Sequence, residues 1–184
     1  MKKIVSLLFT LAGLSGFAQK QTFNTPEMPV DPETKLISYS SVIDVPGTPK
    51  NELYRRGLAW FNSYYKNPTE VIRDKDTVAF KIVGKPRFRI TNEPDNKGLK
   101  TDGGVVQYTI TVACKDNRAK CTLTELNWKQ ASYYPIEKWV EQKDRYKVNN
   151  YYLWQTDSMM KKEVLPEVVK ALKTAPKRST KDDW

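Results

Sequence analysis

Between residues 106 and 112 apolar and polar side chains alternate without a break, and this run limits the possible folds more than any other. Val106, Tyr108, Ile110, Val112 and Cys114 share one side of an extended strand, while Gln107, Thr109 and Thr111 share the other. Such a strand buries one face and leaves the other to solvent or a partner, which is how antiparallel sheets behave. The run 120–129 reads as its return strand, with Asp116-Asn117-Arg118-Ala119 as the turn. A turn centred on Asn117-Arg118 sets Lys115 against Lys120, Cys114 against Cys121 and Thr111 against Thr124. Unbroken alternation from Cys121 and Leu123 would drive Glu125 into the core, where an unpaired carboxylate is costly. A bulge after Thr124 is therefore expected, turning Leu126 and Trp128 inward and Glu125 outward.

Upstream, 36–45 reads as a strand that ends at Pro46-Gly47. Thr48-Pro49 then predicts a helix start, with a hydroxyl cap followed by proline at the first helical position. Glu52 adds charge at the positive end of the dipole. Tyr54, Leu58, Phe61 and Tyr65 form one apolar stripe, and the helix is expected to stop at Asn67-Pro68. Gly57, mid-helix, is read as room for close packing on a strand. Short and long strands follow at 70–74 and 77–90, the second interrupted by Gly84 and Pro86, before a charged loop at 91–104. From 130 to 160 the pattern loosens and the chain turns aromatic, with Tyr133, Tyr134, Trp139, Tyr146, Tyr151, Tyr152 and Trp154. A last helix is expected near 161–174, Pro166 in its first turn and Val164, Val168, Val169 and Leu172 on one face.

The N-terminus reads as an export signal. Lys2 and Lys3 precede an uncharged apolar stretch at 4–14, and Gly16-Phe17-Ala18 offers small residues for cleavage after Ala18. The stretch is shorter than the roughly 20 residues a spanning helix needs, and charges interrupt every later apolar run. Cleavage removes two lysines and no acid, lowering the formal charge from +10 to +8. The expected organisation is a signal peptide at 1–18, a flexible proline-containing leader at 19–35, an α+β core at 36–129, an aromatic-rich connection at 130–160, a completing helix at 161–175 and a polar tail at 176–184. The element order is β-α-β-β-β-β-α, one antiparallel sheet with helices packed on one face.

Several segments resemble a known family. Ile43-Asp44-Val45-Pro46-Gly47-Thr48, running into Glu52-Leu53-Tyr54 and Ala59-Trp60-Phe61, is similar to the opening of the bacterial domain of unknown function 4468. Ile82-Val83-Gly84 and the hairpin strand from Arg118 through Cys121-Thr122-Leu123-Thr124-Glu125-Leu126 are similar to its later strands. The resemblance covers about 36–129 and implies a TATA-binding-protein-like fold in an exported protein. It implies no activity and no functional residues, and the fold name does not import DNA binding.

The chain has no histidine, which removes the usual Ser-His-Asp and Cys-His machinery and every His-ligated metal site. Two cysteines cannot build a structural zinc site, and no phosphate-cradling glycine motif is present. No catalytic, cofactor-binding or metal-binding residue is expected. Glu93-Pro94-Asp95-Asn96-Lys97-Gly98 lacks the ligand pattern of a calcium loop. Glu125, Asp102, Glu93 and Asp44 remain as candidates for a carboxylate-only glycosidase pair. Cys114 and Cys121 are the disulfide candidate, with two buried free thiols as the alternative. Two surfaces are candidates for binding: the polar sheet face of Gln107, Thr109, Thr111, Thr122 and Thr124, and the aromatics Tyr133, Tyr134, Trp139 and Trp154. Each has a plainer alternative, a solvated strand face and a loop packed on the sheet. The positive charge favours an anionic glycan, an anionic lipid surface or an envelope protein, and export argues against nucleic acid. The expected function is non-enzymatic binding or assembly in the bacterial envelope. A carboxylate-dependent hydrolase of envelope polymers and a structural subunit of a secreted or outer-membrane complex are the alternatives.

Overall fold

The computed structural model describes residues 23–129, 132–141 and 150–174. The expected export signal, Tyr146 and the polar tail lie outside them. Along the chain run β1 (Tyr39–Asp44), α1 (Lys50–Tyr64), the short α2 (Pro68–Val71), β2 (Ile72–Asp76), β3 (Lys81–Gly84), β4 (Arg87–Thr91), β5 (Asp102–Lys115), β6 (Arg118–Lys129), β7 (Tyr133–Pro135), α3 (Glu137–Val140), α4 (Asn150–Ser158) and α5 (Leu165–Lys173). All pairings are antiparallel. β5 and β6 form the centre of one sheet of order β1-β6-β5-β3-β2. β4 follows β3 along the outer edge of β5, and β7 joins the outer edge of β6. The expected 77–90 strand is thus two strands, broken at Lys85-Pro86, and both halves still pair with β5.

One face of this sheet is sealed. Ile82, Val106, Ile110, Val112, Cys121, Leu123 and Leu126 are buried together with Leu53 and Phe61 of α1 and Val168 and Leu172 of α5. The helix lies tight on the strands because Gly57 lets it. A Cβ there would stand 3.3 Å from Ile82 Cδ1 and 3.5 Å from Val112 Cγ1. Gly84 is more constrained still, since its Cβ would fall 2.7 Å from the Phe61 ring. These two close approaches set the height of α1 above β3 and β5. Arg56 ties α1 to α5 by donating to the Leu172 carbonyl at 2.9 Å, satisfying an otherwise open carbonyl at a helix end.

The central hairpin corrects the expected register. Its turn has two residues, Asp116 and Asn117, and Lys115 stands opposite Arg118. Asn117 takes φ +68°, a left-handed conformation that asparagine tolerates, so the chain reverses earlier than expected. Every partner moves by two positions. Cys114 faces Ala119, Cys121 faces Val112, Thr111 faces Thr122 and Thr109 faces Thr124. A two-residue shift preserves the face of each side chain while changing its neighbour. The expected disulfide does not form: both thiols are free and buried. As diagonal rather than directly opposed neighbours, they exceed the short Cβ separation that a disulfide demands. The bulge falls where Glu125 was expected to turn out, with Glu125 at φ +52° and Leu126 fully buried.

Other expectations are also corrected. The Thr48 hydroxyl does not cap α1, and Pro49 occupies the cap position. The hairpin turn caps it instead. Lys50 N–H donates to Asp116 Oδ1 at 2.9 Å, and Gly47 N–H donates to Asn117 Oδ1 at 2.8 Å. Residues 70–71, expected in a strand, belong to the helical turn α2, and β2 follows it. The last helix begins by Asn150 rather than near residue 161, and Pro166 lies well inside it. A π-helical stretch, Met159–Val164, joins α4 to α5 just before the proline, widening the helix where a missing N–H and a ring clash would otherwise break it. From residue 23 the expected flexible leader lies on α4: Phe23 packs against Tyr151 and Trp154, and Met28 is buried. No helix among the described residues is long and apolar enough to cross a membrane.

Candidate anion-binding cleft and open sheet face

The break between β3 and β4 opens a cleft of about 410 Å3. Its walls come from the end of α1 and the following turn (Tyr65, Lys66, Asn67), α2 (Glu70, Val71), β2 (Arg73), the break itself (Lys85, Pro86, Arg87) and Gln107 of β5. Four side chains are cationic and one is acidic. Among the described residues Lys66, Arg73 and Arg87 have no carboxylate partner, whereas Lys85 reaches Glu125 at 3.2 Å. Below them the Tyr65 and Tyr108 hydroxyls meet at 3.1 Å, and burial holds both phenols well above their ordinary pKa, in the neutral form. Positive charge gathered in a cleft with fewer carboxylates than cations raises the local potential for anions.

Glu125 is held beside the cleft by its bulge. Its Oε2 accepts from Thr109 Oγ1 at 2.6 Å and from Lys85, and the threonine hydrogen bond, with help from that lysine, keeps its carboxyl below the usual range. Its left-handed backbone is a strained conformation for a residue other than glycine, paid for by these contacts and by the burial of Leu126 beside it.

Each candidate residue now has a place. Gln107, Thr109, Thr111, Thr122 and Thr124 do share the face opposite the helices, and Asn127 stands across from Gln107. Thr109 spends its hydroxyl on Glu125, and Thr124 spends its own on the Ile37 carbonyl at 3.2 Å. Trp139 is buried rather than presented. It packs with Trp128 and Tyr152, while Trp128 Nε1 donates to the Gly103 carbonyl at 2.8 Å and Tyr152 donates to Asn92. This cluster pins the 91–104 loop to α4. Tyr134 is half-buried beside Trp128. Tyr133 and Trp154 keep 46% and 39% exposure, Tyr133 under the Lys129 ammonium and Trp154 stacked on Tyr151. Much of the aromatic stretch therefore packs rather than presents a surface. Burial pushes the Cys114 thiol up to about 11 and the Cys121 thiol up to about 12, so neither is a nucleophile at neutral pH.

Neither Asp102 nor Asp44 is drawn into a pair with Glu125. Asp102 opens β5 and Asp44 lies opposite Arg118 at the far end of the hairpin, with Glu125 between them. At about 3.4 Å per residue each stands roughly 20 Å or more from the level of Glu125, beyond the ~5 to 9.5 Å a glycosidase pair needs. Glu93 lies in the loop before Asp102. Among the described residues no group of three or more Cys, Asp or Glu is placed to hold a metal ion.

Lys66, Arg73, Lys85 and Arg87 were not singled out in sequence. Only the proline-glycine interruption around Gly84-Lys85-Pro86 marked the place, and it signalled a break without the cations that gather there.

Together these features define a one-sheet α+β module with helices on one face, a polar opposite face and a cationic cleft at its edge. Residues 39–129 match the family described as a domain of unknown function (DUF4468) with TBP-like fold, and that segment is a domain of this family. Two crystal structures share the fold. A TBP-like protein from Parabacteroides distasonis is 15% identical, with 81% of this chain and 99% of that chain covered at a TM-score of 0.59. A DUF4468 family protein from Bacteroides ovatus is 19% identical, with 83% and 94% covered at a TM-score of 0.59. None of the curated proteins matches the chain.

Proposed function

We propose that the protein is an exported, non-enzymatic binding module of the bacterial envelope that holds an anionic ligand in the cleft at the β3–β4 break. One observation carries this reading: four cations line a cleft with a single acid, and three of them have no carboxylate partner among the described residues. Its volume falls in the range of small-ligand sites, roughly 300 to 1,000 Å3. The N-terminal signal supports export, and the surplus of eight positive charges left after its cleavage supports an anionic partner.

The test is titration with dextran sulfate against uncharged dextran at increasing salt. Lys66→Glu with Arg73→Glu and Arg87→Glu should weaken binding by more than about tenfold and flatten its salt dependence, as loss of charge-assisted contacts requires. A control reversing Lys162, Lys170 and Lys173, on and beside the helix far along the chain, should leave binding nearly unchanged. Equal losses in the two variants would reduce the effect to net charge and end the cleft assignment.

A further inference from the structure

We propose that the ligand is an acidic polysaccharide, its charge held in the cleft and its sugar hydroxyls read by the open face of the sheet. This deepens the cleft reading and rests on it. The cleft ends on Gln107, whose side chain belongs both to its wall and to the open face. From there a hydrogen-bonding stripe crosses the two central strands, through Asn127 and the threonine pairs to Thr111 opposite Thr122, its one carboxylate, Glu125, held by Thr109 and Lys85. The Gln107 amide and the Thr111 and Thr122 hydroxyls have no hydrogen-bond partner among the described residues, in contrast to Thr109 and Thr124, whose hydroxyls are taken. Free donors and acceptors on a half-exposed face are what a polyhydroxylated chain can use.

Beyond the stripe the surface turns cationic again. Ala113 is flanked by Lys81 on β3, which stands opposite Asp76 of β2, and by Lys120 on β6. Gln107 and Ala113 are six positions apart along β5, or about 20 Å. Positive charge at both ends of a hydrogen-bonding stripe whose one carboxylate is already paired with Lys85 complements an extended polymer with spaced anions and hydroxyls between them. A single strand of nucleic acid would need aromatic platforms for its bases, and the stripe has none.

The probes are a long oligogalacturonate, the same oligomer with its carboxyls reduced to alcohols, the galacturonate monomer, and vesicles of anionic phospholipid. They are titrated against the secreted chain, the cleft triple variant above, and Thr111→Val with Thr122→Val, which keeps β-branching and shape. The acidic oligomer should bind well above the monomer, and the reduced oligomer should bind poorly. The threonine variant should lose about tenfold for the oligomer, nothing for the monomer, and keep its urea midpoint. If the cleft variant loses oligomer binding but the threonine variant does not, the polysaccharide inference falls and the cleft reading stands. If neither variant weakens binding, both fall. Vesicle binding that depends on both threonines, without oligomer binding, would overturn the inference in favour of a membrane surface.

Discussion

The two faces of the sheet are built from alternate residues of the same strands, yet they obey different constraints. On the helix side Ile110, Val112 and Leu123 are fully buried, and even a missing Cβ at Gly84 matters to Phe61. On the other side Thr111, Thr122, Lys120 and Ser40 touch solvent and one another, and little in the fold demands their identity. The contrast teaches where to look for function. A residue whose removal barely disturbs stability is free to be chosen for what it binds, so the cationic and hydroxyl groups of the open face are better reporters of role than the buried aromatics around Trp139.

The sharpest way to break this contrast is to truncate each side. Phe61→Ala removes a fully buried ring between α1 and β3 and should cost about 3 to 5 kcal/mol in urea unfolding. A loss below about 1 kcal/mol would mean that α1 is not what seals the sheet. A smaller effect should appear in alkali. Tyr39, Tyr65 and Tyr108 all have phenols pushed up chiefly by burial, so the folded state keeps them protonated while the unfolded chain ionises near pH 10. Stability should be level with respect to these groups below that pH and fall above it. Tyr65→Phe should make the fall shallower, and an unchanged slope would place that phenol outside the titrating set. The smallest effect belongs to the open face, where Thr111→Val with Thr122→Val should change stability by no more than about 0.5 kcal/mol. A larger loss would show that the threonine face supports the fold, weakening its claim to be a binding surface.

What was legible in the sequence follows the same division. The strand faces, the bulge at Glu125 and the close approach at Gly57 could be read because each depends on a few neighbouring residues. The partners across the hairpin could not, since they turn on whether Asn117 adopts a left-handed backbone, and that choice is secured by the docking of the turn onto Gly47 and Lys50. The early start of the last helix was hidden for a related reason. Tyr151 and Leu153 are buried while Tyr152 is half-buried against Trp128, so α4 shows no single apolar stripe of the kind expected for a surface helix.

By itself the sequence determined that a one-sided antiparallel sheet would form and which side chains would face its helices, because strand periodicity is a local property of the chain. The tertiary structure decided which residues would meet. Lys66, Arg73 and the Lys85-Pro86-Arg87 break lie on separate elements, and they share a cleft only once α1 has settled onto the strands over Gly57 and Gly84. Charge proximity of that kind depends on packing geometry rather than on spacing along the chain.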